Sequence, residues 1–167
     1  GKLLSSNESF SGITVDSREV SKDSVYIGLK GESFDGNSFC DDAIKNGCIA
    51  VITDDKEMLG RNILVRDTYD ALLKIANHHH KQINPVTIAI TGSNGKTTVK
   101  EMIGRVLDEA KTVITNKNEN NQFGIPYTIL RCTPHTETLI LECGARHDGD
   151  FRKIAQSFTF DQLIITN

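Results

Sequence analysis

The segment Thr91-Gly92-Ser93-Asn94-Gly95-Lys96-Thr97-Thr98 constrains this chain more than any other, because of what flanks it. Val86 to Ile90 before it is an apolar run that suits a buried strand, and Thr97 to Glu109 after it reads as a helix. A glycine-bearing loop between strand and helix can curl until several backbone N–H groups point at one anion, with the positive end of the helix dipole behind them. Phosphate is the anion that such a loop fits. The full pattern G-x-x-x-x-G-K-[ST] would place glycine at position 90, where Ile90 stands, so the match is to a shortened variant. Gly-Lys-Thr alone would equally suit a turn that only caps a helix; the preceding strand and Gly92 favour phosphate.

On this reading Gly92, Ser93, Asn94, Gly95, Lys96, Thr97 and Thr98 hold a nucleotide's phosphates, with Lys96 reaching the β- and γ-phosphates and the Thr97 hydroxyl ligating Mg²⁺. A hydroxyl-held Mg²⁺ usually takes a carboxylate from a neighbouring strand, and Glu142 ends the apolar run Leu139-Ile140-Leu141. Lys96 and Glu142 are therefore the candidate catalytic residues, and Thr97 and Glu142 the candidate metal ligands. His78-His79-His80 resembles a metal cluster, but consecutive helical residues point about 100° apart and do not converge on one ion. A solvated helix end is the expectation there.

Around the loop, strands and helices alternate. The second half reads as strand Val86 to Ile90, helix, strand Thr112 to Thr115, a helix opened by Pro126, strand Thr138 to Leu141, helix Gly149 to Ser157 and strand Gln162 to Thr166. Such alternation predicts a parallel sheet with ligands at the carboxyl ends of its strands. In the first half, Ser24 to Leu29 suits a strand, Ser38 caps a short helix to Lys45, Cys48 to Thr53 suits a buried strand, and Asp67 or Thr68 caps a longer helix to about Gln82. The polar stretch before Pro85 predicts a boundary between a small mixed α/β domain, 1–84, and an incomplete parallel-sheet ATP-binding domain, 85–167.

Composition narrows the class. The chain has 167 residues, 38% hydrophobic and 25% charged, with a formal net charge of -3, which offers no basic field for nucleic acid. Cys40, Cys48, Cys132 and Cys143 lie far apart with no C-x-x-C pair, so they read as reduced thiols. No apolar run approaches the roughly 20 residues of a membrane span. A cytoplasmic location is expected.

Three stretches together resemble the Mur ligase family: Asp16-Ser17-Arg18, the run from Lys30 to Asn37 (Lys-Gly-Glu-Ser-Phe-Asp-Gly-Asn), and the loop from Thr91 to Thr98. Asn118-Glu119-Asn120-Asn121-Gln122-Phe123-Gly124-Ile125-Pro126 and Glu142-Cys143-Gly144-Ala145 look most like the branch that adds a D-alanyl-D-alanine dipeptide. The resemblance implies ATP-dependent ligation of D-Ala-D-Ala onto UDP-N-acetylmuramoyl-tripeptide in peptidoglycan precursor synthesis, with ATP and Mg²⁺ as cofactors and a monomeric full-length enzyme. It implies that Ser17, Arg18, Lys30, Gly31, Asp35, Gly36 and Asn37 contact the uridine diphosphate part. Asn118, Asn120 and Asn121 would lie near the phosphates and the substrate. Without that context Arg18 would equally suit a surface ion pair with Asp16, and the asparagines a polar turn. Lys117, Glu119, Arg146 and Asp150 depart from residues usual in the family. Family members continue into further ATP and amino-acid domains, so the chain is expected to be part of a longer ligase and inactive in ligation alone. Rival readings are a noncatalytic UDP-sugar and nucleotide-binding module, a related ligase with another acceptor, such as the tripeptide-forming or folate polyglutamylating enzymes, and a general P-loop NTPase.

Overall fold

The computed structural model of the chain describes residues 9–31, 33–58, 60–117, 119–144 and 150–167. The fold is α/β, in two compact units, Gly1–Leu72 and Leu73–Asn167. The division falls within α2 (Thr68–Ile83), and Asn84-Pro85 lies just beyond that helix.

In the first unit, β1 (Ile13–Thr14), β2 (Val25–Ile27), β3 (Ala50–Thr53) and β4 (Asn62–Leu64) form a parallel sheet in chain order. Val25, Tyr26, Ile27, Val51, Ile52 and Thr53 are all buried, the continuous burial of strands covered on both faces. Tyr26 and Val51 pack with Cys40, Ala43 and Cys48, and α1 (Cys40–Lys45) supplies two of these. The short helix begins differently from the expectation. A 3-10 turn over Gly36–Phe39 precedes it, and Asp35 rather than Ser38 caps that turn by accepting from the Asn37 N–H at 3.0 Å. Ser38 Oγ instead donates back to the Asp35 carbonyl at 2.7 Å. The turn starts early because the Gly36 N–H is already bonded to the Leu29 carbonyl, and an added Cβ at Gly36 would lie 2.6 Å from that oxygen.

The second unit contains β5 (Val86–Gly92), α3 (Lys96–Val106), β6 (Thr112–Ile114), α4 (Gly124–Leu130), β7 (Thr138–Glu142), α5 (Asp150–Ser157) and β8 (Gln162–Thr166). Its strands are all parallel in the order β6-β7-β5-β8. From β5 the chain crosses through α3 to β6, returns through α4 to β7, and then crosses to β8 on the other side of β5. Crossovers thus depart on both sides of β5, which opens a crevice at its carboxyl end. Ile88, Ile90 and Ile140 form a core cluster under Val99, Ile103 and Leu107 of α3 and its C-terminal cap.

Pro126 does not open α4. The helix starts at Gly124, where Asn121 Oδ1 accepts from the Phe123 and Gly124 N–H groups at 3.0 and 2.9 Å, and Pro126 occupies the first turn, where its missing N–H costs no helical bond. Two of the three histidines also differ from expectation. His78 is exposed, but His79 Nε2 lies 2.7 Å from the Cys132 carbonyl, and His80, 9% exposed, bonds Thr87 Oγ1 at 2.8 Å and stands edge-on to Phe158. Packing against Thr87 of β5 and Phe158 buries His80 while Lys81 and Gln82 beside it stay exposed; that burial lowers the His80 pKa, against the pull of Asp161. All four cysteines are buried free thiols, and burial pushes Cys40 and Cys132 up to about 11 and Cys143 to about 12. Among the described residues no helix is long and apolar enough to cross a membrane.

Candidate functional site

At the carboxyl end of β5 the chain turns through Gly92 and Gly95, both at positive φ (135° and 81°), into the N-terminus of α3. Gly92 is paired with Thr166 of β8, and an added Cβ would sit 2.2 Å from the Thr166 carbonyl oxygen. The loop passes so close to β8 that only glycine fits. Lys96 bends back over this loop, its ammonium 2.5 Å from the Gly92 carbonyl and 3.3 Å from that of Ser93. Ser93, Asn94, Thr97 and Thr98 are exposed at the mouth.

Register alone brings Glu142 to this loop, because β7 lies beside β5 with Glu142 opposite Ile90. The carboxylate is 5% exposed, yet each oxygen is matched. Oε1 accepts from Thr97 Oγ1 and Asn120 Nδ2, both at 3.0 Å; Oε2 lies 3.4 Å from the Lys100 ammonium. Burial alone would raise the Glu142 pKa, but the bonds from Asn120 and Thr97 and the Lys100 charge outweigh it and hold the group below its ordinary value. The two predicted metal ligands, Thr97 and Glu142, are thus in contact. A hydroxyl beside an ionised carboxylate at a glycine-lined anion loop is an oxygen donor pair suited to Mg²⁺.

Asn120 also accepts the Gly144 N–H on its carbonyl at 2.7 Å, which fastens the loop before α4 to the end of β7. Asn121 spends its side-chain oxygen on capping α4, so its role in the structure is local. Asn118, Ala145, Arg146 and the Gly149 start of the expected helix lie outside the described residues. Glu119, one of the departures from family pattern, is accommodated by Arg131, which bonds its carboxylate and the Ile114 carbonyl, both at 3.0 Å.

Lys100 was not foreseen as part of the site. It is 2% exposed on α3 and donates to the Thr115 carbonyl at 2.9 Å as well as pairing with Glu142. The signal was present: Lys100 is one turn beyond Lys96 and shares the inward face with Val99 and Ile103.

The other predicted residues gather at the carboxyl edge of the first sheet. Asp16-Ser17-Arg18 follows β1, Lys30 to Asn37 follows β2, and Asp54, also unforeseen, follows β3. Arg18 Nε and Nη2 clasp the Asp16 carboxylate at 2.9 and 2.5 Å, so the guanidinium, though 87% exposed, is held by its neighbour beside half-buried Ser17. Lys30 Nζ is 2.9 Å from Asp54 Oδ1. The Gly31 N–H closes the turn onto the Phe34 carbonyl at 2.9 Å. Asn37 is an internal strut: its amide donates to Asp35 at 2.9 Å and Asp54 at 2.7 Å, while its oxygen accepts from Thr53 Oγ1 at 2.7 Å. Burial raises the Asp54 pKa, and its bonds from Lys30 and Asn37 overcome that effect and lower it.

The hydrogen bonds from Arg18 hold the Asp16 carboxyl down at about 2. A folded value below the ordinary 3.8 means that the stability contributed by this pair is present above about pH 4 and is lost as the pH falls towards 2. Carboxyl-carbon NMR titration is expected to find the Asp16 midpoint near 2 and to find it restored to the usual aspartate range in Arg18→Ala. A midpoint that Arg18→Ala leaves unmoved would show that the pair does not persist in solution.

Comparison with known proteins bears on both units. Residues 9–107 match the family model described as Mur ligase family, catalytic domain, and residues 90–167 match the Mur ligase middle domain. The chain is 34% identical over 162 residues to the UDP-N-acetylmuramoyl-tripeptide--D-alanyl-D-alanine ligase of Haemophilus influenzae, covering 93% of this chain and 35% of that protein. It is 37% identical over 161 residues to the enzyme of the same name from Bacillus subtilis, with the same coverage. Among solved structures, MurF from Acinetobacter baumannii superposes with a TM-score of 0.84 at 32% identity, covering 93% of this chain and 35% of that one. The MurF ligase of Thermotoga maritima in complex with ADP gives 0.81, also at 32% identity, covering 92% and 37%. The chain thus spans about a third of the length of the curated relatives it matches. With a family match running through more than half of its residues and a fold shared over 93% of its length, this chain belongs to the Mur ligase family.

Proposed function

We propose that the chain is the front part of a cytoplasmic ATP-dependent ligase that joins D-Ala-D-Ala to UDP-N-acetylmuramoyl-tripeptide in peptidoglycan precursor synthesis. The observation that carries this reading is the Thr97–Glu142 contact at the mouth of a glycine loop on β5. It supports the assignment of Gly92 to Thr98 to the phosphates of ATP and of Thr97 and Glu142 to Mg²⁺. The relatives' name supplies the substrates, and the ADP bound to the Thermotoga maritima enzyme supports the nucleotide.

A carboxylate is a poor electrophile, so it must first gain a leaving group. The γ-phosphoryl group of ATP passes to the terminal carboxylate of the tripeptide, giving an acyl phosphate and ADP; the amine of D-Ala-D-Ala then attacks the acyl carbon, expels phosphate and leaves the amide. Lys96 neutralises charge on the transferring group and the loop amides orient it. Mg²⁺, when bound, supplies further positive charge at the phosphate oxygens. Residues 85–167 serve as the nucleotide side of the enzyme. Residues 1–84 carry the uridine diphosphate side, where Arg18 and Lys30 are cations at one sheet edge and Ser17, Gly31, Asp35 and Gly36 shape the surface around them. In this reading Asn37 acts by tying the Asp35, Thr53 and Asp54 side chains together, Asn121 by capping α4, and Asn120 through Glu142.

Titration calorimetry separates the two halves of the reading. The chain is expected to bind UDP and UDP-N-acetylmuramoyl-tripeptide, and Lys96→Met is expected to weaken Mg-ATP binding roughly a hundredfold through the loss of a charge-assisted contact, while leaving UDP binding unchanged. A folded chain that binds neither uridine ligand would sink the substrate assignment. Unchanged Mg-ATP affinity in Lys96→Met would sink the loop assignment.

A further inference from the structure

We propose that Lys100 is a positioning residue for the nucleotide and metal site, acting through Glu142; the proposal rests on the nucleotide reading given above. A lysine is rarely placed in a core without a reason, since burial strips the water from its charge. Lys100 is 2% exposed, on the inward face of the helix that begins with Lys96 and Thr97. Its ammonium makes three contacts: the Thr115 carbonyl at 2.9 Å, Glu101 Oε1 at 3.3 Å and Glu142 Oε2 at 3.4 Å.

The division of labour at Glu142 makes this contact informative. Oε2 is committed to Lys100, whereas Oε1 faces Thr97 Oγ1 and Asn120 Nδ2. The carboxylate therefore cannot rotate to offer both oxygens outward, and it presents one oxygen in a fixed direction towards the hydroxyl that shares the proposed cation. Thr115 completes the frame, because its carbonyl accepts from Lys100 while its hydroxyl accepts from the Glu142 N–H at 3.0 Å. One ammonium thereby ties the first turns of α3, the end of β6 and the end of β7 into a single arrangement. Outer partners of metal-binding carboxylates do this work elsewhere, and their loss typically weakens metal affinity about 10- to 100-fold.

Two alternatives differ in what they predict. If Lys100 were only a nearby positive charge, its removal would weaken metal-free ATP, which is the more anionic ligand, at least as much as Mg-ATP. If it works through Glu142, Mg-ATP suffers more. We therefore expect Lys100→Met to cut the Mg²⁺-dependent gain in ATP affinity roughly tenfold, while calorimetry in EDTA shows less than about a twofold change for ATP, since no metal then draws on Glu142. Lys100→Arg, which keeps charge and donors, is expected to recover part of the loss. In a Glu142→Gln background Lys100→Met should have little further effect on the Mg²⁺-dependent gain. Without any nucleotide, the Asn120 side-chain amide resonance should shift in Lys100→Met and stay near its wild-type position in Lys100→Arg. Should Lys100→Met fail to fold, Lys100→Gln and Lys100→Arg carry the same comparison. An unmoved Asn120 amide, or a loss for ATP in EDTA equal to that for Mg-ATP, overturns the proposal. Failure of the full-length wild-type protein to bind Mg-ATP overturns the nucleotide reading itself, and is recognised because it appears before any substitution is made.

Discussion

Gly92→Ala is expected to destabilise the second unit by roughly 4 kcal/mol and to abolish Mg-ATP binding. Two costs add: backbone at φ 135° is nearly reserved to glycine, which costs a side-chain-bearing residue about 1–3 kcal/mol, and a methyl group forced into a packed contact costs about 1–3 kcal/mol more. The contact is with backbone, since the new carbon would meet the Thr166 carbonyl oxygen at 2.2 Å, and β8 cannot yield without breaking its pairing to β5. Gly95 is the internal control. It too has positive φ, but the nearest atom to an added Cβ is 3.9 Å away, so Gly95→Ala carries only the conformational cost of about 1–2 kcal/mol. Thermal unfolding followed by circular dichroism, with hydrogen exchange at β5 and β8 amides to isolate the second unit, measures the difference. Equal stability of the two variants would show that the close approach of the loop to β8 is wrong.

Glu142→Ala should cost up to about 3–5 kcal/mol, again in the second unit, because it removes the buried one of the two carboxylates that face the Lys100 ammonium. The Lys100 side chain is 3% exposed and that of Glu142 6%, so neither can turn to water when its partner is removed. The cost is less a measure of what the pair contributes than of what a buried ammonium costs when only the half-exposed Glu101 and the Thr115 carbonyl remain to meet it. For that reason Lys100→Met combined with Glu142→Met is expected to recover most of the loss, since two well-packed apolar side chains need no counter-charge. Nucleotide binding should not recover with it, because the double variant has no carboxylate beside Thr97. Stability by hydrogen exchange at β7 and affinity by calorimetry read these two outcomes separately. A single substitution that costs less than about 1 kcal/mol would mean that Glu101 or water compensates Lys100, and that Glu142 is not its main counter-charge.

The strand–loop–helix geometry around Gly92 was legible because its pattern is local: a strand, two glycines, Lys96 and Thr97 lie within a dozen residues, and each has a physical reason to be there. Glu142 was legible by a longer chain of reasoning, since alternating elements imply a parallel sheet whose strand ends share one edge. Lys100 escaped because lysine is assigned to water by default, although its spacing from Val99 and Ile103 placed it inward. The edge strands β1 and β4 escaped for a different reason: two and three residues carry too little pattern, and Ile63 and Leu64 remain exposed. At the first sheet, the segments singled out in the sequence lie together at one edge, but spacing alone does not assign contacts within them. Asn37 holds its turn together, and Arg18 is engaged by Asp16, both decided by side-chain geometry that no spacing encodes. His80 shows the same limit, since only the arrival of Thr87 and Phe158 turns a polar helix end into core.

The two strand orders also imply different histories for the growing chain. In the first unit each strand is bonded to the one made just before it, so pairing can advance as the polypeptide leaves the ribosome. β5 has no such neighbour. It is complete at Gly92, yet its partners begin only at Thr138 and Gln162, and at about 5–20 residues per second translation leaves it unpaired for several seconds. Ile88, Ala89 and Ile90 therefore wait without strand partners until the sheet closes around them, with α3 made early enough to cover one face, and the strand that leads into the glycine loop has the longest such interval among the described strands.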